Sequence, residues 1–269
     1  MRFGFETYTW QMSSDRYLGQ IAHIVEVVSE CGGEGIEPEV CMLGEHAEDP
    51  AKLKELLDSR GMCLAAICYI EDWRHAGETS EEAARAARVI NYICRSPGSL
   101  LQLCPRSGKD RSHLRERQRN AIRCMNEVAG RAADRGIPCA VHASSPPGSV
   151  FRTQHEYGIL LGELDPSLVG FVPDTGHIIS GGMDPLEVIR TYRPRVRHVH
   201  FRDISASGEW AELGKGTAHF TAIVSYLAES GYEGWVIVDD ESAPSVSDPD
   251  EATRRNASYV RDTLLPLVR

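Results

Sequence analysis

Eight short apolar runs punctuate the chain, over residues 2–6, 35–39, 62–69, 99–104, 138–142, 169–173, 197–201 and 235–239. Most end in polar residues or at Gly/Pro turns, as buried strands do. Between them lie longer amphipathic stretches, over 15–31, 50–60, 79–95, 111–135, 153–163, 184–192, 219–230 and 249–267, whose spacing predicts helices. Gly32, Gly61, Gly136 and Gly231 stand just past four of them, where a left-handed cap is needed. Asp49-Pro50, Asp184-Pro185 and Asp248-Pro249 each pair an N-cap with a proline at the first helical turn. Eight strand–helix units predict an α/β chain, and eight is the number that closes a (β/α)8 TIM barrel, here as a single domain over 1–269. An open doubly wound sheet is the structural alternative, but no Gly-x-Gly-x-x-Gly follows the first strand.

Composition narrows the partners rather than the fold. The 269 residues carry 39 acidic against 29 basic groups, a formal charge of −10, which disfavours binding to phosphate backbones, so no nucleic-acid partner is expected. No apolar run approaches the roughly 18 residues of a membrane helix, and the first residues lack a signal-peptide stretch. The expectation is a cytoplasmic protein with no membrane partner. The 8 cysteines form no Cys-x-x-Cys pair, and most sit inside apolar runs, as buried reduced thiols do.

In a barrel of this kind chemistry sits at the C-terminal ends of the strands. Those ends carry Glu6, Glu37 and Glu39, His142, Asp174 with His177, the row His198, His200 and Arg202, and finally Asp239 with Asp240 and Glu241. Residues two apart in a strand share a face, so His198 and His200 point the same way and Arg202 continues their row if the strand does. Carboxylates and imidazoles meeting at one mouth are costly when buried unpaired, and a divalent cation relieves that cost. Asp174, His200 and Asp239 are a mixed nitrogen and oxygen set, with His142 the best fourth ligand. Such a set suits Mn2+, Co2+ or Mg2+, and Zn2+ or Fe2+ fall within the same ligand chemistry. Each residue also has a plainer reading. Asp174 caps a turn, His198 is a satisfied core histidine, Glu37 an ion-pair partner, Arg152 a surface arginine, and Asp240 and Glu241 are solvated loop acids.

The stretches Val172–His177, Asp184–Ile189, Arg197–Asp203, Leu213–Gly216 and Gly234–Asp239 together resemble the xylose-isomerase-like, or sugar phosphate isomerase/epimerase, superfamily of (β/α)8 barrels. The resemblance runs over nearly the whole chain, and its nearest branch looks like inosose dehydratase and its relatives. It implies a divalent metal held by acids and a histidine at strand ends, with Asp174 and His200 as ligands and His177 and Arg202 touching substrate. The chain departs from that pattern at four places. His142 and Asp239 stand where relatives commonly have Glu, Ser144 where dehydratase branches often have His, and Arg152 where a loop Glu is usual.

The expected function is a metal-dependent isomerase, epimerase or dehydratase acting on a sugar, cyclitol or small polyhydroxy ketone by proton abstraction next to a carbonyl. Glu37, His177 and Asp239 are candidate bases. Arg152 or Arg202 would stabilise the developing negative charge, and Arg152 or Lys109 would hold a substrate carboxylate or phosphate. Glu6, Trp10, Lys109 and Glu241 complete the expected substrate-binding set, with Tyr69, Trp73 and Phe151 as further aromatic candidates. The partner is then a small polyol or keto compound; the oligomeric state is left open by the sequence, although barrels of this type are often homo-oligomers, dimers or tetramers. The alternative is a repurposed barrel that has lost the standard metal site and binds or converts another small polar ligand. A phosphodiester-cleaving enzyme of the same fold is disfavoured by the acidic balance and the shortage of strand-end His and Glu.

Overall fold

The computed structural model describes residues 1–13 and 16–268. Eight parallel strands ring a central axis: β1 (Arg2–Glu6), β2 (Gly35–Glu37), β3 (Cys63–Leu64 continuing as Ala66–Glu71), β4 (Leu100–Pro105), β5 (Cys139–His142), β6 (Val169–Val172), β7 (His198–Phe201) and β8 (Trp235–Val238). One sheet runs from the first piece of β3 through β2, β1 and β8 to β7, and the other from the second piece of β3 through β4 and β5 to β6. Single parallel bridges, Glu39 to Cys68 on one side and Phe171 to Val196 and Asp174 to His200 on the other, join the two into a closed barrel.

The strands fall where the apolar runs predict them, with two local differences. β2 stops at Glu37 because Pro38 has no N–H to give, although its carbonyl accepts from Cys68 N at 3.1 Å. β3 breaks at Ala65, whose N–H turns to Ile36 while its carbonyl accepts from Leu100, so the strand changes partner sheet at that residue. The helix predicted over 15–31 begins at Ile21, position 15 lying outside the described residues. The last predicted helix runs from Pro249 to Tyr259 and gives way to a π turn over Val260–Leu264. Capping explains most helix starts. Asp49, Asp184 and Asp248 accept from the first-turn amides of their helices, and Thr79 with Glu82 and Thr153 with Glu156 form reciprocal capping boxes. Gly61 and Gly136 hold φ of 66° and 70° just past their helices, a conformation that costs residues with a Cβ.

Strand parity builds the site. Ala66, Leu100, Ala140 and Val172, on four consecutive strands, form one small buried cluster, and Ala65, Trp235 and Ile237 another. Two residues further along the same strands stand Cys68, Gln102, His142, Asp174 and Asp239. The inward rows therefore change from apolar at the foot of the barrel to polar at its C-terminal mouth. The opposite parity, including Phe5, Ile67, Leu101, Val141, Phe171 and Val199, packs against the helices as the main core. Each of these side chains contributes about 1.5–3 kcal/mol by leaving water. That apolar shell holds the polar mouth in place.

Candidate active site

The polar mouth is built in layers on β7. His198 and His200 share one face, and both are fully buried. His198 Nε2 is hydrogen-bonded to Glu37 Oε2 at 2.6 Å, and His200 Nε2 lies 3.2 Å from Glu37 Oε1, a charge contact in which neither atom has a hydrogen-bond partner among the described residues. Burial works against a charged Glu37, but the two imidazoles outweigh it and hold its carboxyl well below the usual range. Burial has the first say for His198 and keeps it below an ordinary histidine despite Glu37.

The other ring nitrogen of His200 faces the acids. Nδ1 lies 3.5 Å from Glu6 Oε2, 3.9 Å from Asp174 Oδ2 and 4.0 Å from Asp239 Oδ2, and has no hydrogen-bond partner among the described residues. Asp174 is held by its own backbone, since Oδ1 accepts from His177 N at 2.8 Å as the N-cap of the short helix Thr175–Ser180. Its Oδ2 accepts from Arg202 Nε at 3.1 Å and lies 3.4 Å from His142 Nε2. Arg202 reaches on to Asp239 and Glu241. Burial alone would raise the Asp174 carboxyl, but Arg202, His177 and His142 bring it well below its usual value. Glu6 moves the other way, because burial and the neighbouring carboxylates of Asp239 and Glu37 favour its protonated form. His142 is pushed up to about 10, since its contacts with Asp174 and Cys104 outweigh burial. The Cys104 thiol is brought down to about 6, against burial, by Cys68 and His142.

These donors fit a divalent cation. His142, Asp174 and His200 offer one ligand atom each within 4.8 Å of one another, and so do Glu6, His200 and Asp239. Asp239 Oδ1 and His200 Nδ1 are buried with no partner among the described residues. The carboxylates of Asp174, Asp239 and Glu241 surround a single guanidinium, that of Arg202, and the excess negative charge is what a divalent ion neutralises.

Above this floor opens a cavity of about 590 Å3, a size suited to a small ligand. Glu6, His142, Arg152, His177, Arg202, Asp239 and Glu241 line it, whereas Glu37, Asp174 and His200 lie beneath its surface. His142 and His177 are the histidines that reach it; of the two, His177 is the neutral one. Burial, then Arg202, His142 and His200, keep it neutral in spite of Asp174, and its Nδ1 lies 2.9 Å from Ser145 Oγ.

Other expected residues stand elsewhere. Trp10 is fully buried and donates its indole N–H to Asp250 Oδ1 at 2.6 Å, so it does not reach the cavity. Lys109 belongs to a separate surface hollow with Arg74, Asp110 and Arg117. Tyr69, Trp73 and Phe151 are core residues. The cavity's aromatic surfaces are instead Tyr8 and Trp210, the latter edge-on to His177 at 5.5 Å and beneath the Arg202 guanidinium at 5.3 Å. Trp210 sits in a hairpin, Asp203–Ile204 with Trp210–Ala211, too short to leave a periodic signal. Tyr8 opens the single helical turn after β1, where only the fold decides which aromatic turns outward.

A profile of the xylose isomerase-like TIM barrel family matches residues 25–263. The chain belongs to that family. An inosose dehydratase of Clostridium botulinum (strain Alaska E43 / Type E3) is 28% identical over 169 aligned positions, and the chain spans about half the length of this relative, 56%. The inosose dehydratase of Geobacillus thermodenitrificans (strain NG80-2) is 26% identical over an alignment covering 98% of this chain and 97% of that enzyme. Among solved structures, the IolI protein with a binding zinc atom superposes with a TM-score of 0.79 at 16% identity, covering 100% of this chain and 98% of that one, a likeness of fold. Family and fold are those that the strand-end motifs imply. No described helix is long and apolar enough to cross a membrane.

Proposed function

We propose that this chain is a divalent-metal-dependent dehydratase, isomerase or epimerase acting on a sugar, cyclitol or small polyhydroxy ketone. One observation carries the reading: a metal-capable donor set and a neutral, cavity-lining imidazole, His177, converge on the same barrel mouth. His200 would hold the ion with His142 and Asp174 on one side or with Glu6 and Asp239 on the other, since Asp174 and Asp239, expected to share an ion, fall in separate groups that have only His200 in common. Bound there, the ion supplies Lewis-acid polarisation of a substrate carbonyl and hydroxyl.

The chain's own groups do the rest. With Nδ1–H donated to Ser145 Oγ, His177 presents the lone pair of Nε2 and takes the proton next to the carbonyl. Negative charge developing on the substrate oxygen meets the Arg202 guanidinium, fixed by Asp174, Asp239 and Glu241. Glu37, beneath the cavity, is a positioning residue: it accepts from His198 and orients His200 so that Nδ1 faces the acids. The Trp210 ring gives a sugar face an apolar surface.

The test is solvent deuterium incorporation. Metal-stripped and Mn2+-loaded protein are incubated in D2O with inosose, keto-hexoses and dehydroshikimate, and recovered compounds are analysed by mass spectrometry. Label at a carbon next to a carbonyl, dependent on Mn2+ and lost in His177→Gln, is the expected result. No label anywhere in the panel removes the support for this reading. Arg202, which already ties Asp174 to Asp239, favours a second reading: a repurposed barrel that works on a polar ligand without an ion. Elemental analysis showing no transition metal or Mg2+ after equilibration would select it.

A further inference from the structure

The loop after β5, residues 143–152, forms one wall of the cavity, and its hydroxyls bond to one another and to Ser107 in the loop after β4. Ser107 Oγ lies 2.7 Å from Ser149 Oγ and 3.2 Å from Ser144 Oγ, and Ser144 and Ser149 are 3.2 Å apart. Pro146 and Pro147 stiffen the loop, and Gly108 N donates to Gly148 O at 3.0 Å. Arg152 closes it. Its backbone N–H donates to Glu156 Oε2 at 2.7 Å, but Glu156 is taken by Arg111. The Arg152 side chain makes no ion pair among the described residues, and its Nε is buried with no hydrogen-bond partner among them. The two other arginines on the cavity are both spoken for, Arg202 by three carboxylates and Arg106 by Asp72 at 3.4 Å. A half-buried guanidinium without a counter-ion is unfavourable, and an oxyanion entering the cavity removes that cost.

We propose that Arg152 is the anion-binding end of this cavity, so that the substrate is a polyhydroxy keto compound bearing a terminal carboxylate or phosphate rather than a neutral one. This rests on the cavity being the polyol site proposed above. The planar fork of Arg152 takes such a group bidentately, which a lysine would not. The substrate then spans the mouth, with its anion on the loop after β5 and its reacting carbon at His177. Binding the anion here keeps it away from Glu6, Asp239 and Glu241 on the far strands.

The proposal is tested by binding, without turnover. Two matched pairs of probes are titrated calorimetrically into Mn2+-loaded protein. 5-Keto-D-gluconate and L-sorbose differ only in a carboxylate against a hydroxymethyl group, and D-fructose 6-phosphate and D-fructose only in a phosphate. At least one anionic probe is expected to bind about tenfold or more tighter than its neutral twin, a ratio that collapses in Arg152→Gln while the neutral twin stays within about twofold. The pair that shows the preference identifies the oxyanion. Arg152→Lys should recover only part of it. Metal content measured alongside should be the same in all three proteins. Equal affinities within both pairs, no binding of any probe, or a preference that survives in Arg152→Gln would each overturn the assignment. The affinity ratio stands or falls separately from deuterium incorporation, so failure of one is not failure of the other.

Discussion

Glu37→Gln is the most informative single perturbation, because it changes one charge and almost no volume. Glu37 offers one oxygen to each histidine, at 2.6 Å to His198 Nε2 and 3.2 Å to His200 Nε2. His198 Nε2 bonds to Glu37, and the Glu37 carboxylate 3.2 Å from His200 Nε2 favours a proton there by its charge, which leaves the His200 lone pair on Nδ1, toward Glu6, Asp174 and Asp239. A glutamine has only one oxygen. If that oxygen stays on the shorter bond to His198, its amide N–H2 faces His200 and moves the imidazole proton to Nδ1, where it blocks a metal. Removing such an outer partner typically weakens metal binding about 10- to 100-fold, or about 1.4–2.7 kcal/mol. The fold loses about 1–3 kcal/mol from the disturbed buried pair, within a usual total of about 5–15 kcal/mol, so the variant remains folded. Competition of Mn2+ or Zn2+ against a chelating dye gives the affinity, and circular dichroism confirms the fold. An affinity within about twofold of the parent, in a folded variant, would refute the positioning role of Glu37.

Two further outcomes follow from the titrating groups. His142, pushed up to about 10, carries a proton at neutral pH, and a metal that uses it must expel that proton. Titration of Zn2+ at pH 8 in buffers of different ionisation enthalpy should show about one proton released per ion, whereas zero would mean that His142 is not a ligand. Glu156 accepts from the amides of Arg152 and Thr153 and pairs with Arg111, and these contacts outweigh burial and lower its carboxyl. A carboxyl lowered in the folded state stabilises fully above its unfolded value and loses that contribution as pH falls through the folded one. Glu156→Gln should therefore cost about 1–2 kcal/mol by urea unfolding at pH 7 and progressively less toward pH 3; a gap independent of pH would contradict the ionic account.

Much of this architecture is legible in the chain because strands buried on both faces read as plain apolar runs and each run ends in a polar residue. The period of two places His198 and His200 on one face, and the same row does continue to Arg202, which is buried beside them. What the row does not reveal is its depth. Glu37 looks like a base from its strand-end position but lies below the cavity, because Pro38 ends β2 early and leaves Glu37 between two histidines. Aromatic positions are legible only as types. The single turn Tyr8–Gln11 after β1 turns Trp10 into the core toward Asp250 and leaves Tyr8 at the cavity, a choice set by a contact with a residue 240 positions away. Arg152 stands out in sequence as a cation where relatives often carry an acid, yet its lack of a counter-ion among the described residues is visible only once Arg111 is seen to occupy Glu156.

The central claim is that His200 grips one cation together with the groups beside it, His142 and Asp174 or Glu6 and Asp239. Counting the metal bound per chain by plasma mass spectrometry, after equilibration with Mn2+ and desalting, tests it most directly when the parent is compared with His200→Ala. One ion per chain in the parent and none in a folded His200→Ala is the predicted result. An equal count in both, or none in the parent, would contradict the account.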